Sequence, residues 1–396
     1  MSRTSKNRFL HILPLLLNLI VLLAVIWIIV PAPAYDIWLF SVAASEWSLW
    51  FGALALIGLI CSLFAGKGKL RLASLIIGSI AFIISLYPLL SIVSPAREQN
   101  VSLSLKRYFN GLWHENNSSK SQPKNFTTYT FASLDGKDLQ SDVYLPTENT
   151  ANNGASVIVI HGGSWSGGVR SDFPQWNRLL AAQGFTVFDI DYRLAQPNYL
   201  TATGDVKCAV RWIKENAEKF KVSPDRIALL GRSAGAHLAL LGAYSAGDAR
   251  IPASCSEKET SEYVRAVVSF YAPTDLLWAY DNPANQFVIN GPATLFRFLG
   301  GNPHESSEMR ERYVLASPVS HVAPDTPPTL LIHGGQDQLV RRENMNLLAD
   351  KLKQKAVPHR TLFIPYAQHG FDYNFNGWGA QISESAILDF LRENTK

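Results

Sequence analysis

The sequence predicts an α/β domain built on a mostly parallel sheet, carried behind a strongly apolar N-terminal segment. Three observations lead there. Short, mostly apolar runs such as "SVIVI" (156–160), "RIALLG" (226–231) and "TLLIHG" (329–334) have the composition of strands buried on both faces. Stretches with apolar residues at helical spacing lie between them, and strand–helix alternation implies a parallel sheet with helices on both faces. Ahead of all this stand three long apolar runs, at 9–30, 47–65 and 72–93.

Charge separates the two parts. Charged residues make up 17% of the 396-residue chain, against roughly 25% in ordinary soluble domains. The deficit is local to residues 1–95, where Arg3, Lys6, Arg8, Lys67, Lys69 and Arg71 face only Asp36 and Glu46. These account for the whole net charge of +4, so the remainder is balanced. It has no Lys/Arg block, which excludes a nucleic-acid partner.

A helix rising ~1.5 Å per residue needs about 20 residues to cross a ~30 Å hydrocarbon core. By that measure residues 1–95 are predicted as a membrane segment of three spans, with the lipid bilayer as partner. "PAPAY" (31–35) resembles a signal-peptide cleavage site, but the preceding run exceeds the usual ~7–15 residues and Pro33 interrupts the site, so an uncleaved span is preferred. The Lys/Arg bias of the short loops puts the N-terminus in the cytoplasm, 31–46 outside and "GKGKLR" (66–71) inside. The chain after residue 93 is then extracytoplasmic. Cys208 and Cys255 fall in that outer part, where an oxidising compartment permits a disulfide, although the sequence gives no distance between them.

Residues 96–125 read as a linker, polar and aperiodic over 116–125, with Asn116, Asn117 and Asn125 in N-x-S/T patterns. From 126 to 396 the pattern is globular. "FTTYTFAS" and "QSDVYLP" alternate around Asp135-Gly136 and predict an antiparallel pair. Then come "SVIVI" as a central strand, a helix over "FPQWNRLLAAQG", the strand "FTVFDI" and the helix "DVKCAVRWIKENAEKF". "RIALLG" leads into the helix "AGAHLALLGAY". "VRAVVSFY" and "TLLIHG" are strands separated by a long excursion, and a helix, the strand "HRTLFIPY" and the helix "SESAILDFLREN" close the chain. Ligands of such sheets bind beyond the carboxyl ends of the strands.

Ser233 lies in "GRSAG", between a predicted strand and a predicted helix. A reversal this sharp forces the serine into strained geometry and leaves no room for side chains at 231 and 235. It lifts Oγ above the sheet and sets the Ala234 N–H at a helix N-terminus, which favours negative charge. A serine hydroxyl needs a base, and the base an orienting acid. Asp337 follows one strand and His369 the next, in the chain order Ser, Asp, His. Asp275, after an earlier strand, is the rival acid. An oxyanion needs preorganised N–H donors, and "HGGSW" (161–165) follows the first central strand. Gly162, Gly163, Ser164 and Ala234 are assigned to that hole, His161 to anchoring the loop, and Trp165 to the pocket wall.

Together "HGGSW", "DYRLA" (191–195), "GRSAG", "HGGQD" and "QHGF" resemble the α/β-hydrolase fold, nearest to the hormone-sensitive-lipase-like and kynurenine-formamidase-like esterases. The resemblance covers about 126–394. It implies hydrolysis of small-molecule carboxylic esters through an acyl-enzyme. Many relatives have Asp where this chain has Arg232, and a third glycine where it has Ser164; these departures bear on substrate, and Arg232 joins Trp165 as a candidate pocket residue.

No metal or cofactor is expected. His333 lacks the clustered ligand spacing of a zinc site, and "GGSWSGG" lacks the Gly-Lys-Ser/Thr of a phosphate loop. The function predicted is a membrane-anchored serine hydrolase, a carboxylesterase. An amidase or peptidase uses the same triad, and a non-catalytic receptor or scaffold of this fold is the reading outside enzymology. The excursion 275–318, rich in apolar residues, is expected either to cap the pocket or to pack in the core.

Overall fold

The computed structural model describes residues 3–65, 68–118, 126–146, 150–255 and 260–396, with the side chains of 3–11 and 112–118 excepted. Five helices come first: α1 (Arg3–Val25), α2 (Tyr35–Glu46), α3 (Ser48–Phe64), α4 (Lys69–Glu98) and α5 (Leu105–Ser118). The C-terminal domain then runs β1 (Thr127–Leu134), β2 (Lys137–Tyr144), β3 (Ser156–Ile160), α6 (Pro174–Ala182), β4 (Thr186–Ile190), α7 (Tyr199–Glu215), α8 (Ala217–Phe220), β5 (Ile227–Arg232) and α9 (Ala234–Tyr244). It continues β6 (Ala266–Phe270), α10 (Leu276–Asp281), α11 (Gly291–Leu299), α12 (Ser307–Leu315), β7 (Thr329–Gly334), α13 (Glu343–Gln354), β8 (His359–Ile364) and α14 (Trp378–Asn394).

The eight strands form one sheet in the order β1-β2-β4-β3-β5-β6-β7-β8. β2 is antiparallel to both neighbours, and β3 through β8 are mutually parallel. Strand side chains alternate between faces, so each central strand feeds two cores. Ile158, Ile160, Phe188 and Leu229 enter the layer with α7, α9 and α13. Val157, Val159, Val187 and Leu230 enter the layer with α6 and α14. That is why these strands are apolar at most positions on both faces, with buried polar exceptions such as Asp189 and His333 toward their carboxyl ends. Helix starts follow local chemistry: Pro174 opens α6, and Asn290 and Ser306 cap α11 and α12 through the N–H groups of Ala293 and Met309.

The N-terminal segment corrects the expectation of three spans. Among the described residues, α4 is the one helix long and apolar enough to cross a membrane; α2 and α3 pass together only as a pair bent by 79°. The run 47–65 folds as the 17-residue α3, about 25 Å long and short of a ~30 Å core. In the first run the described apolar helix, Ile12–Ile28, is no longer, and its last turn tightens to a 3₁₀ helix at Ile26. Counting apolar letters overlooks these breaks. The orientation derived from three crossings loses its basis with them.

The stretch read as a linker is helical over α5 and packed. Tyr108 stacks on Trp378 of α14 with ring centroids 4.3 Å apart. Arg107 pairs with Glu384 at 2.5 Å, and Ser104 N–H donates to Gln381 Oε1 at 2.8 Å. Ile92, Ala96 and Tyr108 belong to the same apolar layer as α14. The N-terminal helices therefore share a core with the sheet. The three candidate sequons fall outside the residues with described side chains.

Cys208 and Cys255 form a disulfide, with Cα atoms 5.7 Å apart, and Cys61 is free. The bridge ties α7 to the loop before β6 across 47 residues. Thiol titration of the denatured, unreduced chain should therefore find one thiol, and reduction should raise the count to the three cysteines present. Loss of the bridge in Cys255→Ser should cost about 2–4 kcal/mol, read from the denaturant midpoint.

Candidate active site

One residue makes the turn from β5 to α9. Ser233 has φ 53° and ψ −119°, a conformation that costs an L-residue of order 1–3 kcal/mol. Its surroundings enforce it: the Ser233 N–H donates to Phe270 O at 3.0 Å, and its carbonyl accepts from the His237 N–H at 3.0 Å. A Cβ at Gly231 would lie 2.3 Å from Gly235 O, and one at Gly235 would lie 2.2 Å from His161 O and 2.3 Å from Ile160 O. Only glycine fits either position.

Asp337 follows β7 and His369 follows β8. His369 Nε2 lies 2.9 Å from Ser233 Oγ, and His369 Nδ1 lies 2.7 Å from Asp337 Oδ2. With Nδ1–H donating to the carboxylate, Nε2 is left to accept the serine proton. The Asp337 carboxylate is fully buried; its Oδ1 accepts from the N–H groups of Leu339 and Val340, both at 2.9 Å, and His333 Nε2 lies 3.3 Å from Oδ2. Burial alone would raise its pKa, but the two histidines outweigh burial and hold the carboxyl below the usual range. Asp275 is not part of this relay. It caps α10, with Oδ1 accepting from the Trp278 N–H at 3.0 Å.

The loop after β3 turns sharply: Gly163, Ser164 and Trp165 all have positive φ, at 109°, 52° and 58°. The N–H groups of Ser166 and Gly167 fold back onto Gly163 O. A Cβ on Gly162 would lie 3.0 Å from Arg232 O, so this loop runs close against the serine turn. His161 anchors it, with Nδ1 2.7 Å from Gly162 O and its ring stacked on Tyr192. The Ala234 N–H, in the first turn of α9, has no carbonyl within its helix to receive it. Gly163, Ser164, Ala234 and Ser233 thus border the same space.

That space is two chambers meeting at Ser233. One, of about 70 Å³, is apolar and lined by Ser164, Trp165, Ala234 and residues of the 275–318 excursion, among them Ala279, Ile289 and Leu295. The excursion thus closes over the site, with small and aliphatic side chains rather than with its exposed Phe287. The other, of about 530 Å³, holds His369 and Tyr271 on one side and α2 on the other.

Arg232 borders the larger chamber, and its guanidinium is engaged through one nitrogen, while Nη1 and Nη2 have no hydrogen-bond partner among the described residues. Nε bonds Asp372 Oδ2 at 2.6 Å, and Cζ lies 3.9 Å from the Phe173 ring centroid and 4.9 Å from that of Phe270. Tyr271 donates its O–H to the other Asp372 oxygen at 2.5 Å, and its ring lies against His369. Sequence reasoning missed Asp372, Tyr271 and α2. Asp372 in "QHGFDY" was the one available signal, an acid three residues past the histidine.

Trp165 stacks on Phe298, and its Nε1–H donates to His237 Nδ1 at 3.2 Å. His237 Nε2 in turn lies 2.8 Å from Ala316 O. One ring nitrogen accepts and the other donates, so this histidine is neutral. Burial pulls its pKa down to about 4, from ~6.5 in an unfolded chain. The unfolded state then binds the extra proton, so stability is full above about pH 6.5 and falls as pH drops toward 4, by about 3 kcal/mol. Denaturant midpoints against pH should show this slope in the native chain and a flatter one in His237→Gln.

Comparison with known proteins agrees with this architecture. The family model BD-FAE matches residues 141–352. Among curated relatives, "Probable carboxylic ester hydrolase LipM" of Mycobacterium tuberculosis (strain ATCC 25618 / H37Rv) is 32% identical over 240 residues, covering 60% of this chain and 54% of that protein. "Esterase LipQ" of the same organism is 29% identical, covering 65% and 59%. The chain spans about half the length of the curated relatives it matches. In fold, it is similar to Thermogutta terrifontis Est2 in its butyrate-bound structure, with TM-score 0.55, 23% identity and coverage of 68% and 94%. A truncated carbohydrate esterase from gut microbiota gives TM-score 0.54 at 23% identity, with coverage of 69% and 98%. The family match takes in more than half of the chain, from β2 to α13 and including the Ser233 turn, and the chain therefore belongs to the BD-FAE family, with the α/β-hydrolase fold.

Proposed function

We propose that this chain is a serine hydrolase of carboxylic esters that works through an acyl-enzyme on Ser233 and is held at a membrane by its N-terminal helices. The observation that carries the hydrolase reading is the continuous hydrogen-bond chain Ser233–His369–Asp337, at 2.9 and 2.7 Å, ending on a buried carboxylate. Ser233 Oγ attacks the ester carbonyl while His369 Nε2 takes its proton. Asp337 balances the imidazolium and holds the tautomer. The oxyanion is received by the N–H groups of Gly163, Ser164 and Ala234, with Gly162 giving the loop its close approach; one such donor is worth about 3–4 kcal/mol. The alcohol departs with the proton from His369, and water repeats the sequence to free the acid.

Membrane attachment is supported by an inside-out bundle. α3 and α4 offer small residues to the bundle interior, Gly52, Ala55, Gly58, Ser62, Ser74, Gly78 and Ala81, α1 adds Asn18, Val21 and Val25, and Leu16, Ile20, Ile57, Ile76 and Ile83 face outward. Membrane helices pack in this way, because lipid takes up the large apolar side chains. The Cys208–Cys255 disulfide supports an oxidising, extracytoplasmic compartment for the hydrolase domain.

Ser233→Ala should abolish ester turnover and fluorophosphonate labelling with the fold intact, since the glycines set the turn. Asp337→Asn should lower kcat by about 10⁴; a larger loss in Asp275→Asn would refute the assignment of the acid. Membranes washed at high salt and alkaline carbonate should keep the chain, and detergent should release it. Release by carbonate alone would end the anchoring proposal.

A further inference from the structure

The larger chamber is only half made by the hydrolase fold. Its other wall is α2, which comes from the apolar N-terminal segment. The residues of α2 that line it are Tyr35, Trp38, Leu39, Val42, Ala43 and Glu46. Their spacing of three and four residues makes one continuous helical stripe. Both ends of the helix are fastened. Before it, the Ala32 N–H donates to Gln338 Oε1 at 2.7 Å, and Ala32 O accepts from Asn285 Nδ2 at 2.6 Å. Ala32 and Trp38 pack against Val288 and Leu339. At the far end, Asn374 Nδ2 reaches Glu46 O at 3.4 Å.

Proton geometry decides what each chamber holds. In the acylation step the Ser233 Oγ–acyl bond forms and the ester C–O bond breaks. The leaving oxygen takes the proton that His369 removed from Ser233, so the alcohol must lie on the His369 side. His369 lines the chamber of about 530 Å³ and not the one of about 70 Å³. The acyl group is left with the small chamber. The large one is rich in rings, with Tyr35, Trp38, Phe173, Tyr271 and Tyr373 among its walls. Its charged side chains are Arg232, ion-paired with Asp372 through Nε, and the carboxyl-bearing Glu46 and Asp172.

We propose that α2 forms the leaving-group subsite of this enzyme, and that the alcohol half of its substrate is a ring-bearing group seated between α2 and the His369 loop. This rests on the reading of Ser233 as the nucleophile. The N-terminal segment is then part of the specificity of the site as well as its attachment.

The test uses the full chain in detergent and three esters: 1-naphthyl acetate, ethyl acetate and ethyl butyrate. Val42→Trp narrows the chamber from the α2 side; Ala43→Phe does so from the next position and serves if the first variant folds poorly. In either, the kcat/KM ratio of naphthyl acetate to ethyl acetate should fall about tenfold or more relative to the native chain, and the butyrate-to-acetate ratio should keep its native value. An unchanged naphthyl-to-ethyl ratio in a folded variant overturns the subsite. A fall in the butyrate-to-acetate ratio instead overturns the assignment of the alcohol to this chamber. If the native chain turns over none of the esters and takes no fluorophosphonate label, the hydrolase reading itself fails, and the subsite with it.

Discussion

The site hangs on one close approach, that of the start of α9 to the end of β3. Gly235 sits so near the carbonyls of Ile160 and His161 that a single added carbon would overlap both. This contact forces the reversal from β5 into one residue, and Ser233 absorbs it at positive φ. The same contact brings the N-terminus of α9 against the loop that leaves β3. Proposed nucleophile and proposed oxyanion donors are therefore set by one steric constraint. That constraint is local in space and distant in sequence.

The relay is tied to the N-terminal segment through neighbours of its own members. Gln338 follows Asp337, and Gln368 precedes His369; their side chains bond to each other at 3.2 Å. Gln338 also takes the Ala32 N–H ahead of α2. Thus the two loops that bring Asp337 and His369 together also carry the wall of the larger chamber. Beneath them, Asp372 holds Arg232 and Tyr271. Breaking such a buried pair leaves an uncompensated charge, typically at a cost of about 3–5 kcal/mol, so this network fixes the floor on which His369 rests.

The helical bundle has its own polar pin. Asn18, buried in α1, donates to Ser74 O and Oγ of α4 at 3.0 and 3.1 Å, and Ser74 meets Ser62 of α3 at 2.7 Å. The space for it exists because positions 58 and 78 are glycine; a Cβ at either would overlap the Asn18 amide. Apolar surface alone would let the helices slide, whereas a buried amide that donates both ways to Ser74 selects one register. With α4 and α5 also built into the layer beside α14, the N-terminal part and the sheet form one packed structure.

The sheet, the order of its strands along the chain, and Ser233, Asp337 and His369 as candidates were legible in the sequence. Strands buried on both faces are mostly apolar, a β-to-α reversal selects glycine at two spaced positions, and a relay needs its acid and base at strand ends. These are local consequences of composition and spacing. Other features were decided only in three dimensions. The described apolar helices of the first two runs stop at 17 residues, so three apolar runs did not become three spans. Arg232, adjacent to the serine, was drawn off by an acid 140 residues away. One wall of the candidate site came from a segment that reads as membrane anchor, because the hydrogen bonds of the Ala32 backbone, N–H to Gln338 and carbonyl from Asn285, leave no trace in the letter at position 32.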